Sequence, residues 1–246
     1  MNNVIWIILT LLMVNLTLGC EYLILVRGIE LESRPKIIKF ARWGSGVFKG
    51  GASLGFMTYF YVLSQDIGLA DSSQIYVEAI GYALLASVIG DLLLVGESEI
   101  YFLSGLIAFF IAHIAYAVAF IDPLLRSNIT PSILMISGLV IGVSLASLIA
   151  YKSFHHHIPV SLRLPSMSYT IVIAVMVISA LCHSIYLECF TIAIGAIVFW
   201  LSDLAVAMQR FHIDHLAYRG FYVRLWGLPF YYIAQLVMAS ELTIRH

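Results

Sequence analysis

Two aspartates stand inside runs of lipid-compatible residues. Asp91 lies in Ser87-Val-Ile-Gly-Asp-Leu-Leu-Leu94, and Asp203 lies in the long apolar stretch from Gly195 to Arg210. Each follows a small residue, Gly90 or Ser202. An ionised carboxylate in hydrocarbon costs at least about 2.5 kcal/mol on insertion scales, so such residues face polar cavities and work there. Two carboxyl groups in unlike surroundings can divide into a proton donor and a proton acceptor. They can equally mark an ion or proton path.

Other polar residues fall within reach of this pair. Lys49 sits in Phe48-Lys-Gly-Gly-Ala-Ser53, where small residues let membrane helices approach closely. Its ammonium has two outlets, pairing with an aspartate or snorkelling to the interface. His113 shares a helical stripe with Phe109 and Tyr116, and Tyr231, Tyr232 and Gln235 form a second stripe. His113 and Tyr116 are expected to line the deeper wall of an aspartate pocket, with Tyr231, Tyr232 and Gln235 opposite. The triplet His155-His-His157 reads as a solvated loop, because consecutive histidines cannot all face one metal. Cys20, Cys182 and Cys189 match no metal-site spacing and no disulfide framework. His183 and Glu188 read as interfacial.

The elements that hold these residues follow from composition. Of 246 residues, 61% are hydrophobic and 11% charged, with mean hydropathy +0.97. Soluble domains are roughly 45–50% apolar and about 25% charged, so one soluble core cannot bury this excess. A net charge of −1 gives no sign of nucleic-acid binding. About 20 apolar residues cross a bilayer. By that measure the chain is an all-α polytopic bundle, one transmembrane domain over 1–246. Its eight spans cover residues 3–26, 45–65, 75–95, 100–121, 131–151, 168–187, 189–209 and 222–241. The first is a retained helix, since Met1-Asn-Asn-Val4 lacks a basic leader and apolar sequence continues past Cys20. The protein is therefore integral and multi-pass, of the inner or cell membrane in a bacterial setting.

Basic residues orient the bundle. Arg27, Arg34, Lys36, Lys39 and Arg42 fall in the first connection, Lys152 and Arg163 in the fifth, and Arg210, Arg219 and Arg224 in the seventh. Only Arg126 and Arg245 fall on the other side. The odd connections are then cytoplasmic and both termini are not. In that frame Glu21, Lys49, Asp91 and Asp203 share a layer roughly 6–9 Å below the inner interface, at about 1.5 Å per residue.

At this point the residues resemble a family. Gly90-Asp91, Phe102-Leu-Ser-Gly105 with Phe109, His113 and Tyr116, then Gly195-Ala196, Phe199, Ser202-Asp203 and Ala234-Gln235, are similar to the YhhN family, which includes the lysoplasmalogenases. Lys49 resembles that family's lysine on its second helix. The resemblance runs from helix 2 to helix 8; the loop 151–168 and the stretch 211–221 carry nothing that matches. It implies hydrolysis of the sn-1 vinyl ether of a lysoplasmalogen, giving a fatty aldehyde and glycerophosphoethanolamine or glycerophosphocholine. On that reading Asp91 and Asp203 are catalytic. Lys49, His113, Tyr116, Tyr231, Tyr232 and Gln235 bind the lysophospholipid, and neither metal nor cofactor is required. Such a cleavage needs a proton donor, a stabiliser for an oxocarbenium ion and a base for water, and paired carboxylates supply these in glycosidases. Two rivals remain from the residues alone. One is a lipid or ion transporter built on the aspartates. The other is a zinc hydrolase using His113, which a single deep histidine supports poorly.

Overall fold

The computed structural model describes residues 2–27, 34–66, 74–96, 98–127, 132–211 and 217–241. Among them are eight α-helices and no strand: α1 (Asn2–Leu25), α2 (Pro35–Asp66), α3 (Gln74–Leu93), α4 (Glu99–Arg126), α5 (Ile133–Phe154), α6 (Val160–Tyr186), α7 (Phe190–Phe211) and α8 (Ala217–Ser240). Six of them (α1, α3, α4, α5, α6 and α7) are long and apolar enough to cross a membrane by themselves. The other two, α2 and α8, are long enough at 32 and 24 residues but more polar. Lys36, Lys39, Arg42 and Lys49 lower the first, and Arg224, Gln235 and Pro229 lower the second.

Several ends differ from the hydropathy reading. The α2 helix begins ten residues early, because its basic first turns still hydrogen-bond as helix. The α6 helix starts at Val160, eight residues before the expected 168, and carries Pro165 in its second turn. A proline that close to a helix start displaces few hydrogen bonds, so it does not end the element. What remains of the expected loop is a single 3-10 turn, His155–His157, between α5 and α6.

The helices pack as antiparallel neighbours in chain order, α1 on α2, α3 on α4 and α7 on α8, with α8 also meeting α1, α2 and α3. Small residues set these distances. A Cβ on Gly55 would overlap the Thr10 hydroxyl of α1, and one on Gly90 would come within 2.6 Å of the Phe109 ring of α4. The interior is rich in rings: Phe56, Phe109, Tyr116, Phe120, Phe199, Tyr231 and Tyr232 are all buried. By contrast α5 lies at the edge, against α6 and lightly against α7. Only Ser147 and Phe154 of its 22 residues are buried. Large apolar side chains such as Leu54, Ile107, Leu134 and Ile141 cover the outside. In water that surface would be unfavourable; in lipid it needs no partner.

Candidate functional site

Both aspartates open onto one cavity of about 840 Å³, lined by residues of all eight helices. Asp91 sits in the last turn of α3, 2% exposed, where Gly90 lets α4 approach. Its Oδ2 accepts a hydrogen bond from Ser53 Oγ at 2.6 Å and a longer one from Tyr232 OH at 3.5 Å. Its Oδ1 lies 3.6 Å from Lys49 Nζ. Of the two outlets for Lys49, the structure takes pairing. Tyr232 OH also donates to the Lys49 carbonyl at 3.0 Å, so α8 clamps the α2 turn that carries the lysine.

Asp203 lies eight residues before the end of α7 and meets different partners. Its Oδ2 is 3.1 Å from His113 Nε2, and the same nitrogen is 3.0 Å from Tyr169 OH. His113 is fully buried and its Nδ1 meets no hydrogen-bonding partner among the described residues. A hydrogen is therefore best placed on Nε2, aimed at Asp203 Oδ2, with the buried Nδ1 keeping only a lone pair. Burial of that lone pair costs less than burial of an unpaired N–H.

An aromatic floor closes the cavity on its deep side. Phe109, Phe199 and Tyr231 meet edge to face, with centroids 5.6–6.4 Å apart. The His113 ring lies 4.7 Å from Phe199. The sequence reading placed His113 and Tyr116 on the deep wall, with Tyr231, Tyr232 and Gln235 opposite. The structure puts Lys49, Asp91, Asp203 and Tyr231 on the cavity wall. His113 stands behind Asp203, and Tyr232 behind Asp91. Tyr116 and Gln235 pair below the floor, the phenol donating to Gln235 Oε1 at 2.5 Å. Among the described residues His113 packs against Phe199, which in turn meets Tyr116, and His113 does not line the cavity. The cavity wall also includes Tyr151 of α5, Tyr169 and Ile173 of α6, and Trp200 and Leu204 of α7.

The mouth is polar. Arg42, Arg210 and Arg224 line it with Glu21. Arg224 forms an ion pair with Glu21 and donates to Gln209 at 3.1 Å; Ser45 holds the other Glu21 oxygen at 2.6 Å. Arg210 covers the Phe102 ring at 4.6 Å. Arg245 and the side chain of Arg219 lie outside the described residues. His183 is not interfacial as its position suggested: it is fully buried, its Nδ1 2.9 Å from the Phe120 carbonyl, because it occupies the inward face of α6. Tyr169, Ser53 and Arg42 are site residues the sequence did not single out. Among the described residues no group of three or more His, Cys, Asp or Glu side chains is placed to share a metal ion.

These features define a multi-pass helical membrane protein with a carboxylate-lined cavity near one end of the bundle. The chain belongs to the YhhN family, whose model matches residues 47–242. No curated protein and no solved structure matches it.

Proposed function

We propose that this protein is a lysoplasmalogenase-like hydrolase that cleaves the vinyl ether of a single-chain lipid by carboxylate acid–base catalysis. The observation that carries this reading is the pair Asp91 and Asp203 on one cavity with unlike partners, an ammonium for one and an imidazole and a phenol for the other. Family membership supports it, since YhhN proteins include hydrolases.

The chemistry follows from the partners. A cation beside Asp91 favours its carboxylate, which suits it to face a developing positive charge and to take a proton from water. Asp203 meets an imidazole instead of an ammonium, and we assign it as the donor. Its proton goes to the β-carbon of the vinyl ether, and the π electrons form that C–H bond and leave an oxocarbenium ion. Water adds to the α-carbon and loses a proton to Asp91, giving a hemiacetal. Collapse breaks the bond from that carbon to the glycerol oxygen, which takes the proton from Asp91. The hemiacetal hydroxyl returns its proton to Asp203, and aldehyde and glycerol hydroxyl are released with both carboxyl groups restored. Arginines at the mouth suit the phosphate, and the apolar wall of Ile173, Trp200 and Leu204 suits the chain. We place all eight helices across the membrane, both termini on the non-cytoplasmic side, so the mouth opens at the inner interface.

Aldehyde release from a lysoplasmalogen by purified protein tests the reaction. General acid–base contributions run about 10²–10⁴-fold, so Asp203→Asn should lose at least that much kcat while still binding lipid. EDTA should leave the rate unchanged. Full activity in Asp203→Asn, or loss in EDTA that zinc restores, would overturn the mechanism.

A further inference from the structure

The α5 helix contributes one buried polar side chain, and that residue breaks a habit of this bundle. Many hydroxyls on these helices turn back onto their own backbone, and others, such as Ser45 and Ser53, bond a carboxylate of another helix. Ser153, also on α5, donates to the Ile149 carbonyl at 2.9 Å, Thr170 to Ser166 at 2.8 Å, and Ser87 to Ala83 at 2.8 Å. Ser147 is 3% exposed and lines the cavity, yet its Oγ meets no hydrogen-bonding partner among the described residues. A buried hydroxyl left unpaired is costly, and the bond to its own helix is the ready remedy it does not take.

Its position gives it a purpose. Ser147 lies seven residues before the α5 end at Phe154, Tyr169 nine after the α6 start at Val160, and Asp203 eight before the α7 end at Phe211. These three ends lie on one side of the bundle. At about 1.5 Å per residue the three side chains stand at one level to within a helix turn. Most of α5 faces outward, and its inward positions, Ser147, Ala150, Tyr151 and Phe154, line the cavity, so the one buried polar residue among them is placed to serve it.

We propose that Ser147 binds the free 2-hydroxyl of the glycerol and makes the site selective for lipids that carry one chain. The assignment of that ligand rests on the reaction proposed above. With the sn-1 vinyl ether at the carboxylates, the 2-hydroxyl is on the next carbon but one from the ether oxygen. It too enters a cavity walled by apolar side chains, where it needs a partner. Serine both donates and accepts, as an alcohol requires. A two-chain lipid has no hydrogen to give there and brings a second chain to α5.

The test separates binding from hydrolysis. Saturated 1-O-alkyl lysolipids lack the double bond that is protonated, so their affinity for the purified full-length protein is readable whether or not it is a hydrolase. Wild type should bind the 2-hydroxy form about fivefold more tightly than its 2-deoxy counterpart, the worth of one neutral hydrogen bond. Ser147→Ala should bring that ratio to one by weakening only the 2-hydroxy form, and Ser147→Thr should keep it. With the alkenyl substrate, Ser147→Ala should raise KM and leave kcat within about twofold. Equal affinity of wild type for both forms, or equal weakening of both by Ser147→Ala, would overturn the proposal. Intact discrimination without any hydrolysis would sink the proposed reaction and leave the Ser147 assignment standing.

Discussion

Each aspartate is held by groups from other helices, so its neighbours set what it can do. Lys49 and Asp91 are mostly buried, at 17% and 3% side-chain exposure. Removing one partner of a buried pair leaves the other charge uncompensated, at a cost of about 3–5 kcal/mol. Lys49→Met should therefore destabilise the protein by about 3 kcal/mol in detergent unfolding. Adding Asp91→Asn should recover most of that stability and none of the activity. Stability unchanged in Lys49→Met would mean that the pair is not maintained. In the proposed reaction the part of His113 is to position Asp203, 3.1 Å away, and a misplacement of about 1 Å costs near 10²-fold in rate. His113→Phe should lower kcat by about that factor with KM little altered; a rise in KM instead would make His113 a lipid contact. The aspartates were legible in the sequence because a carboxylate in an apolar run has few bland explanations. Ser53, Ser147 and Tyr169 were not. A membrane hydroxyl is normally satisfied by its own helix, and one tyrosine among 14 carries no mark of its depth. The Tyr116–Gln235 pair was visible as polarity, but only contacts reveal that it lies beneath the aromatic floor.

Helix centres were legible from hydropathy; helix ends and helix contacts were not. Hydropathy reports what meets lipid, whereas a helix continues as long as its backbone bonds do. That is why α2 extends back through Lys36 and Lys39, and why α6 runs through Pro165. Element contacts in turn rest on small residues whose effect depends on what they face. Gly90 matters because the Phe109 ring lies against it, and that ring also touches Phe199 and Tyr231. A Cβ at Gly90 must push the whole aromatic floor or lift α3 and Asp91 away. Gly90→Ala should cost about 1–3 kcal/mol, typical of overpacking, and lower turnover with it. The double variant with Phe109→Leu should recover part of the stability. If Gly90→Ala alone unfolds like wild type, the α3–α4 contact is looser than described.

At the scale of the whole molecule the number of crossing helices turns on α2 and α8. The α2 helix is one of the two, with α8, whose apolar content does not by itself admit a span. It packs between α1 and α3, both apolar enough to span, and carries the Lys49 that pairs with Asp91. At 32 residues it is roughly 48 Å long, well beyond the ~30 Å hydrocarbon core. Its surplus lies at the start, where Lys36, Lys39 and Arg42 suit headgroups and the positive-inside preference. If α2 crosses, Lys36 and Ser64 lie on opposite faces of the membrane. In a variant whose Cys20, Cys182 and Cys189 are replaced, Lys36→Cys should react with an impermeant maleimide only after the cytoplasmic face is exposed. Ser64→Cys should react in intact cells. Should both react from one side, α2 does not span, and an aspartate cavity opening at the inner interface would have to be given up with it.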